Sequence, residues 1–439
     1  MSQKKYVISS IIPNATYSKD CLETLKNIAS DVGAELLLLE TAPNFVSDTK
    51  FEEYVIQLDE IKEYLVDNGM PLGEKLSISP ILQNVNVLDP ILGMDSLVAK
   101  IGNLIVPFPR HRMKMVSRML KDHKAPRGIW CTGTISDRYY KQTKSGITAA
   151  QYHVYGGIVV EINEDETFSV RQLTWDGKSI YDMTTEYTPK STKRGIRAVA
   201  VSLGDLHAIF ASPHAIEQSE VLIKQLNPTV VIQNDVLDVG FVGSHHLIGK
   251  NITKGNLIKT LAEEGEITSN LMNRLMNATP DAIHYFTASN HPEHLDRWLE
   301  EGRFLNDPNN IKLGLELALV KSNGKNAAEH LLRKFNNLER WVFCERNDSL
   351  KINDIELLCH GDSGAGGSRG TPNGVSTVYG GNVTTAHSHS PQITPTGSYV
   401  VGTLTELHLS YQDASAGNNW AHANVIQYEN GTRCNYVFI

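Results

Sequence analysis

The chain has 439 residues, 41% of them hydrophobic and 21% charged, with a formal net charge of −8. Such a length exceeds one ordinary hydrophobic core, so two domains are expected. The acidic balance excludes a globally basic nucleic-acid binder but leaves room for a local basic face. No apolar run approaches the roughly 20 residues that cross a bilayer, and Met1-Ser2-Gln3-Lys4-Lys5 leads only into a strand-length run, so no membrane association and a cytoplasmic location are expected. The cysteines Cys21, Cys131, Cys344, Cys359 and Cys434 are odd in number and form no CxxC pair, which argues against a disulfide framework and a thiolate zinc site. A metal would have to be held by His, Asp and Asn.

In chain order, residues 6–12 read as a strand, 18–32 as an amphipathic helix and 34–40 as a second apolar strand, a β-α-β start. A polar helical stretch at 49–68 and a short strand at 103–107 follow. Residues 110–127 carry Arg110, Arg112, Lys114, Arg118, Lys121, Lys124 and Arg127 against the single acid Asp122. That run is either a solvated face or a phosphate-tracking surface. From residue 128 the texture turns β-rich, with segments 128–135, 152–162 and 168–175. The charged, turn-forming residues 188–195 mark a boundary between an N-terminal α+β domain (1–190) and a second domain (191–439). The sequence shows no internal repeat.

The second half alternates: strand 196–203, helix 215–226, strand 229–233, helix 254–276, strand 282–288, helix 325–340, strands 355–359 and 381–386, then 399–411 and a hairpin turned by Asn430-Gly431. Candidate ligands follow these strands one after another: Asp205 and His207, Asp235, Asn290 and His291, His360, and His387 and His389. Ligands of open α/β sheets gather at the carboxyl ends of strands, so the five clusters are expected to converge on one crevice. Thirteen of the sixteen histidines fall between His207 and His422. A lone His at a strand end is more often packed or solvent-facing; five such clusters are another matter. Two divalent ions about 3.5 to 4 Å apart can clamp a phosphoryl group and activate water, and a shared carboxylate such as Asp235 would offset their mutual repulsion.

The order of these motifs resembles the calcineurin-like metallophosphoesterases, whose D-x-H, GDxxD, GNH, isolated His and GHxH read here as Asp205-Leu206-His207, Asn234-Asp235-Val236-Leu237-Asp238, Ser289-Asn290-His291, His360 and Ala386-His387-Ser388-His389. The resemblance implies a four-layer α/β/β/α sandwich over 191–439. It implies one ion on Asp205, His207, Asp235 and His389, and a second on Asp235, Asn290, His360 and His387. His291 would be the catalytic His that assists the leaving group, and the metals would be manganese or, in its place, magnesium. Three glycines of the family pattern are replaced, by Asn234, Ser289 and Ala386, and the acid after GNH by Pro292 with Glu293 next.

Further pieces, among them His360-Gly361-Asp362, Gly366-Gly367-Ser368-Arg369-Gly370 and Asn418-Asn419-Trp420, resemble the DNA-degrading tailed-phage members of the family. That likeness implies a phage nuclease acting on host DNA as a homo-oligomer, with hydroxide shared by the two ions as nucleophile. Weaker substrate-contact candidates are Arg369, His245, His246, Arg297, Arg112, Lys114 and Arg118. A phosphomonoesterase or small-nucleotide phosphodiesterase would need the same ligands, and a DNA-binding scaffold with a vestigial site is the alternative of another class.

Overall fold

The computed structural model describes residues 3–41, 58–80, 85–119, 127–240, 260–409 and 417–438. The chain is mixed α/β and builds two large sheets. In the ten-stranded sheet the order is Trp341–Phe343, Ile283–Phe286, Val230–Gln233, Ala200–Ser202, His422–Gln427, Arg433–Phe438, Phe168–Thr174, Gly156–Ile162, Lys4–Ile11 and Glu35–Glu40. The seven-stranded sheet runs Thr384–Thr385, Tyr399–Val400, Gln392–Ile393, Met113–Val116, Arg127–Cys131, Asn103–Val106, Leu76–Ile78. Alternation along each strand assigns its two faces. Ile8, Ile158, Val160, Val170 and Val425 of the first sheet share one core with Ile105, Met113, Trp130 and Ile393 of the second. Val7, Val159 and Leu173 turn the other way, onto the helix Lys19–Val32. Val201, Val231 and Ile426 do the same toward the helices of the C-terminal half.

Local signals explain the crossover helices. Lys19–Val32 starts where the Ser18 hydroxyl accepts the Cys21 N–H and stops at Gly33 in the left-handed region (φ 67). Pro213–Leu226 begins with proline in its first turn and ends at left-handed Asn227. Several expected elements are shorter in the structure. The helix expected at 325–340 spans Ala327–Arg333, and the strand expected at 399–411 is Tyr399–Val400 followed by irregular chain to residue 409, with 410 and 411 outside the described residues. Of the helix expected at 49–68, residues 49–57 lie outside the described residues and 58–64 form a short helical turn. The Asn430-Gly431 hairpin forms as expected, joining His422–Gln427 to Arg433–Phe438.

Residues 188–195 do not separate two sheets. Both large sheets take strands from either side of that point, and the stretch itself closes a small sheet of Ile180–Asp182, Thr185–Tyr187 and Thr192–Arg194. The halves instead repeat one topology that the sequence does not reveal. Outward from the central pair Phe168–Thr174 and Arg433–Phe438, each direction meets an antiparallel, a second antiparallel and then a parallel neighbour. In each half that last parallel pair is a β-α-β unit. The second sheet is likewise symmetric about the antiparallel pair of Met113–Val116 with Gln392–Ile393, each direction meeting one antiparallel and then a parallel neighbour.

Of the basic run at 110–127, Arg110 and Arg112 are buried at this seam, which corrects their reading as either a solvated face or a phosphate-tracking surface. Arg112 is 4% exposed, pairs with Asp89 (Nε to Oδ1 3.0 Å) and donates to the Ile393 carbonyl across the seam. Arg110, 3% exposed, donates to the carbonyls of Leu88 and Pro395 and lies over the Tyr152 ring. Lys114 pairs with Asp95 at 2.8 Å, and Arg127 donates to the Val98 carbonyl. Half-buried Arg118 lies on a two-residue ladder opposite Asn418; Lys121 and Lys124 are outside the described residues. Packing, not solvent, took these charges because a guanidinium can satisfy several carbonyls at once. Arg112→Met, which strands the half-buried Asp89 carboxylate, is therefore expected to cost about 3 kcal/mol of stability. Urea unfolding checks this, with the salt dependence of any DNA binding expected to be unaltered.

Candidate metal centre

The carboxyl ends of the parallel strands do converge. Ala200–Ser202 leads to Asp205 and His207, Val230–Gln233 to Asp235, and Ile283–Phe286 to Asn290, the first residue of the helix Asn290–Glu300. His360 follows Ile355–Glu356, and His387 and His389 follow Thr384–Thr385. Asp235 stands at the centre. Its carboxylate lies within 4.8 Å of ligand atoms in each of three groups: with His207 and His291, with His360 and His387, and with Asp205 and His389. His360 Nε2 is 3.0 Å from Asp235 Oδ2, His389 Nε2 is 3.1 Å from Asp205 Oδ2, and the Nε2 atoms of His207 and His389 face each other at 3.1 Å.

These side chains are buried without being satisfied. Both carboxylate oxygens of Asp205, Oδ1 of Asp235, Oδ1 of Asn290, both ring nitrogens of His360 and Nδ1 of His389 have no hydrogen-bond partner. The short His–Asp approaches at His360 and His389 thus lack hydrogen-bond geometry. Buried polar atoms left this way are costly, and lone pairs aimed at one another are what a cation resolves. The donor set of imidazole, carboxylate and one amide oxygen, with no thiolate, suits a divalent metal ion. Burial and the neighbouring His360 hold the His387 imidazole below its ordinary pKa, and burial does the same to His389, keeping both neutral for ligation.

Backbone strain marks the same residues. Of the eleven non-glycine residues with positive φ among those described, four are candidate ligands: His207 (36), Asp235 (42), His387 (67) and His389 (55). Left-handed backbone on such residues is uncommon and concentrates at functional sites. The replaced glycines are thereby explained. Asn234, Ser289 and Ala386 do not have positive φ, so no glycine is needed there, and the strain sits on the ligands themselves.

Asp238, quoted within a motif but given no role from the sequence, organises the imidazoles. Its Oδ1 lies 2.8 Å from His207 Nδ1 and 3.2 Å from His291 Nδ1, and its carbonyl is 3.0 Å from His291 Nδ1. His291 is therefore supported by Asp238 rather than by an acid beside it in the chain, and its Nε2 remains to meet a ligand. Burial opposes charge on His291, but the Asp235 and Asp238 carboxylates prevail and push it up to about 10. Burial would likewise raise Asp235, yet His360 and His291 hold it well below the usual carboxylate range. Glu264, fully buried on the helix Leu261–Ala278, accepts the backbone N–H of Asp238 (3.0 Å) and Val239 (2.7 Å). Burial and the Asp238 charge push its pKa up to about 8. Trp420 packs its ring 4.1 Å from that of His389. Glu264 carries no motif signal, since only the fold brings it here, and Trp420, although part of the Asn418-Asn419-Trp420 piece, is given no role by the sequence.

The weaker substrate candidates fare unevenly. Arg369 is exposed on the glycine-rich loop, and exposed Arg297 lies 3.5 Å from Glu293 one helical turn before it. His245 and His246 lie outside the described residues.

The topological repeat shows what the N-terminal half lacks. The Leu404 N–H and Thr403 hydroxyl donate to the Asp205 carbonyl (2.8 and 3.0 Å), as the Ile135 N–H and Thr134 hydroxyl donate to that of Ser10 (3.0 and 2.6 Å). Ser10 thus stands where Asp205 does, and Ile12 where His207 does. Strand register likewise sets Phe108 at the place of His387. Ile12 and Phe108 are fully buried, so the N-terminal half keeps the frame and fills the crevice with apolar side chains.

Among the described residues, no helix is long and apolar enough to cross a membrane. No family model matches the chain, and no solved structure does. The chain is similar to Protein A1 of Escherichia phage T5, 26% identical over a 468-residue alignment that spans 98% of this chain and 81% of that protein.

Proposed function

We propose that the chain is a dinuclear-metal phosphodiesterase of the calcineurin-like metallophosphoesterase type, acting on DNA with manganese or magnesium. The observation that carries this reading is the convergence of Asp205, His207, His360, His387 and His389 on the buried carboxylate of Asp235, with the unpartnered Asn290 Oδ1 buried beyond the end of the adjacent parallel strand. Two sheets sharing one core with helices outside agree with the helix–sheet–sheet–helix sandwich that the motifs imply. The likeness to a phage protein agrees with the DNA-degrading phage members that the motif set resembles. A homo-oligomer and host DNA as substrate belong to the same proposal.

Asp205, His207, Asp235 and His389 would hold one ion, and Asp235, Asn290, His360 and His387 the other. When bound, the ions supply positive charge to the phosphoryl oxygens and acidify water. Asp235, whose carboxylate is common to all the converging groups, would offset the charge at both positions. His291, oriented through Nδ1 by Asp238, presents Nε2 to the leaving oxygen and gives it a proton as its bond to phosphorus breaks and the bond from water forms. Water's proton then restores the imidazolium.

Plasmid DNA and para-nitrophenyl phosphate, each incubated with manganese, magnesium or chelator, test the proposal. Cleavage of plasmid with manganese and its loss with chelator are expected. Hydrolysis of the monoester alone would make the chain a phosphomonoesterase, and no turnover under any condition would make it a binding scaffold.

A further inference from the structure

We propose that Arg346 is a positioning residue that sets the spacing of the ligands for one of the two cations and not the other. The inference rests on the two-ion reading above. Arg346 lies three residues beyond the strand Trp341–Phe343, at the same carboxyl edge as the candidate ligands. Its Nη1 and Nη2 donate to Oδ1 and Oδ2 of Asp362 at 2.7 and 2.8 Å, and its Nε donates to Glu293 Oε1 at 2.7 Å. Asp362 comes two residues after His360, and Glu293 three residues after Asn290. One planar guanidinium thus fastens the loop that carries His360 to the first turn of the helix that begins with Asn290.

The geometry makes the effect one-sided. Asn290 and His360 belong to the same ion position, so a change in the separation of their two segments opens that position. The other position is fastened independently. The Asp205 N–H donates to the Gly402 carbonyl, the His207 N–H donates to the Asp235 carbonyl, and His207 is held by Asp238. Among the described residues Arg346 has hydrogen bonds to Asp362 and Glu293 but none to Asp205, His207 or His389. Lysine cannot replace it, because a single ammonium does not reproduce three in-plane donors facing two carboxylates. Arg346 is about a third exposed, so the pairing contributes geometry more than stability.

Manganese titration of the metal-free full chain, followed by calorimetry and by electron paramagnetic resonance, tests this. The parent is expected to bind two ions and to show a spin-coupled pair. Arg346→Met and Arg346→Lys are expected to weaken one binding event at least tenfold and leave the other within twofold, with a mononuclear signal at one equivalent. Asp362→Asn, which removes the bidentate pairing from the other side, is expected to give the same single loss and carries the test if Arg346→Met does not fold. If the parent binds two ions and every folded variant keeps both affinities, or loses both equally, the role of Arg346 is overturned while the two-ion reading stands. A parent that takes up no manganese overturns both.

Discussion

Asp235→Asn is expected to strip both cations from the chain and to abolish DNA cleavage. Asp235 is the one side chain common to all three groups of converging ligands, and it is 1% exposed, so water cannot take over its charge. Two divalent ions a few ångströms apart repel strongly in a site with low effective dielectric. Asp205 is the only other carboxylate among the candidate ligands, and it serves one position alone. Asparagine keeps the shape and removes the shared anion, leaving the carbonyl-held loop of His207 intact because that bond uses the Asp235 backbone. Metal content after desalting from excess manganese is the direct measurement. Two equivalents retained by Asp235→Asn would show that the carboxylate is not the bridge and would remove the basis of the proposed chemistry.

Most of the ligands were legible in the sequence because they follow parallel strands, and strand ends of an open sheet meet on one edge whatever the rest of the chain does; His360 instead follows Ile355–Glu356, which pairs antiparallel with Lys351–Ile352. Asp205, Asp235 and Asn290 are placed by three adjacent parallel strands, so their order in the chain is their order in space. The organisation of the N-terminal half was not legible. Ser10, Ile12 and Phe108 replaced the polar side chains that would have made the repeat visible, and backbone hydrogen bonds kept the topology without them. Charge misled for a related reason. Arg110 and Arg112 sit in a run that reads as a surface stripe, yet the antiparallel pairing of Met113–Val116 with Gln392–Ile393 buries them at the seam. Asp238, Glu264 and Arg346 act through contacts 16 to 53 residues away in the chain, which no local pattern encodes.

His291→Ala is expected to leave both cations bound and to slow DNA cleavage by roughly 10²- to 10⁴-fold, the range typical of a lost general acid. His291 Nε2 is the imidazole nitrogen that Asp238 leaves free, beside His207, with ring centroids 4.5 Å apart. The contrast with Asp235→Asn separates the two roles, since one variant loses metal and the other keeps it. The leaving group supplies a second discriminator. The sugar oxygen of DNA departs poorly without a proton, whereas nitrophenolate departs readily, so His291→Ala is expected to retain far more of its activity on bis(para-nitrophenyl) phosphate than on DNA. Loss of a cation in His291→Ala would instead make His291 a ligand, a result its proximity to Asp235 and His207 would explain. Equal slowing on both substrates with full metal content would assign it to phosphate binding rather than proton donation, because stabilising the phosphoryl oxygens does not depend on how readily the other product leaves.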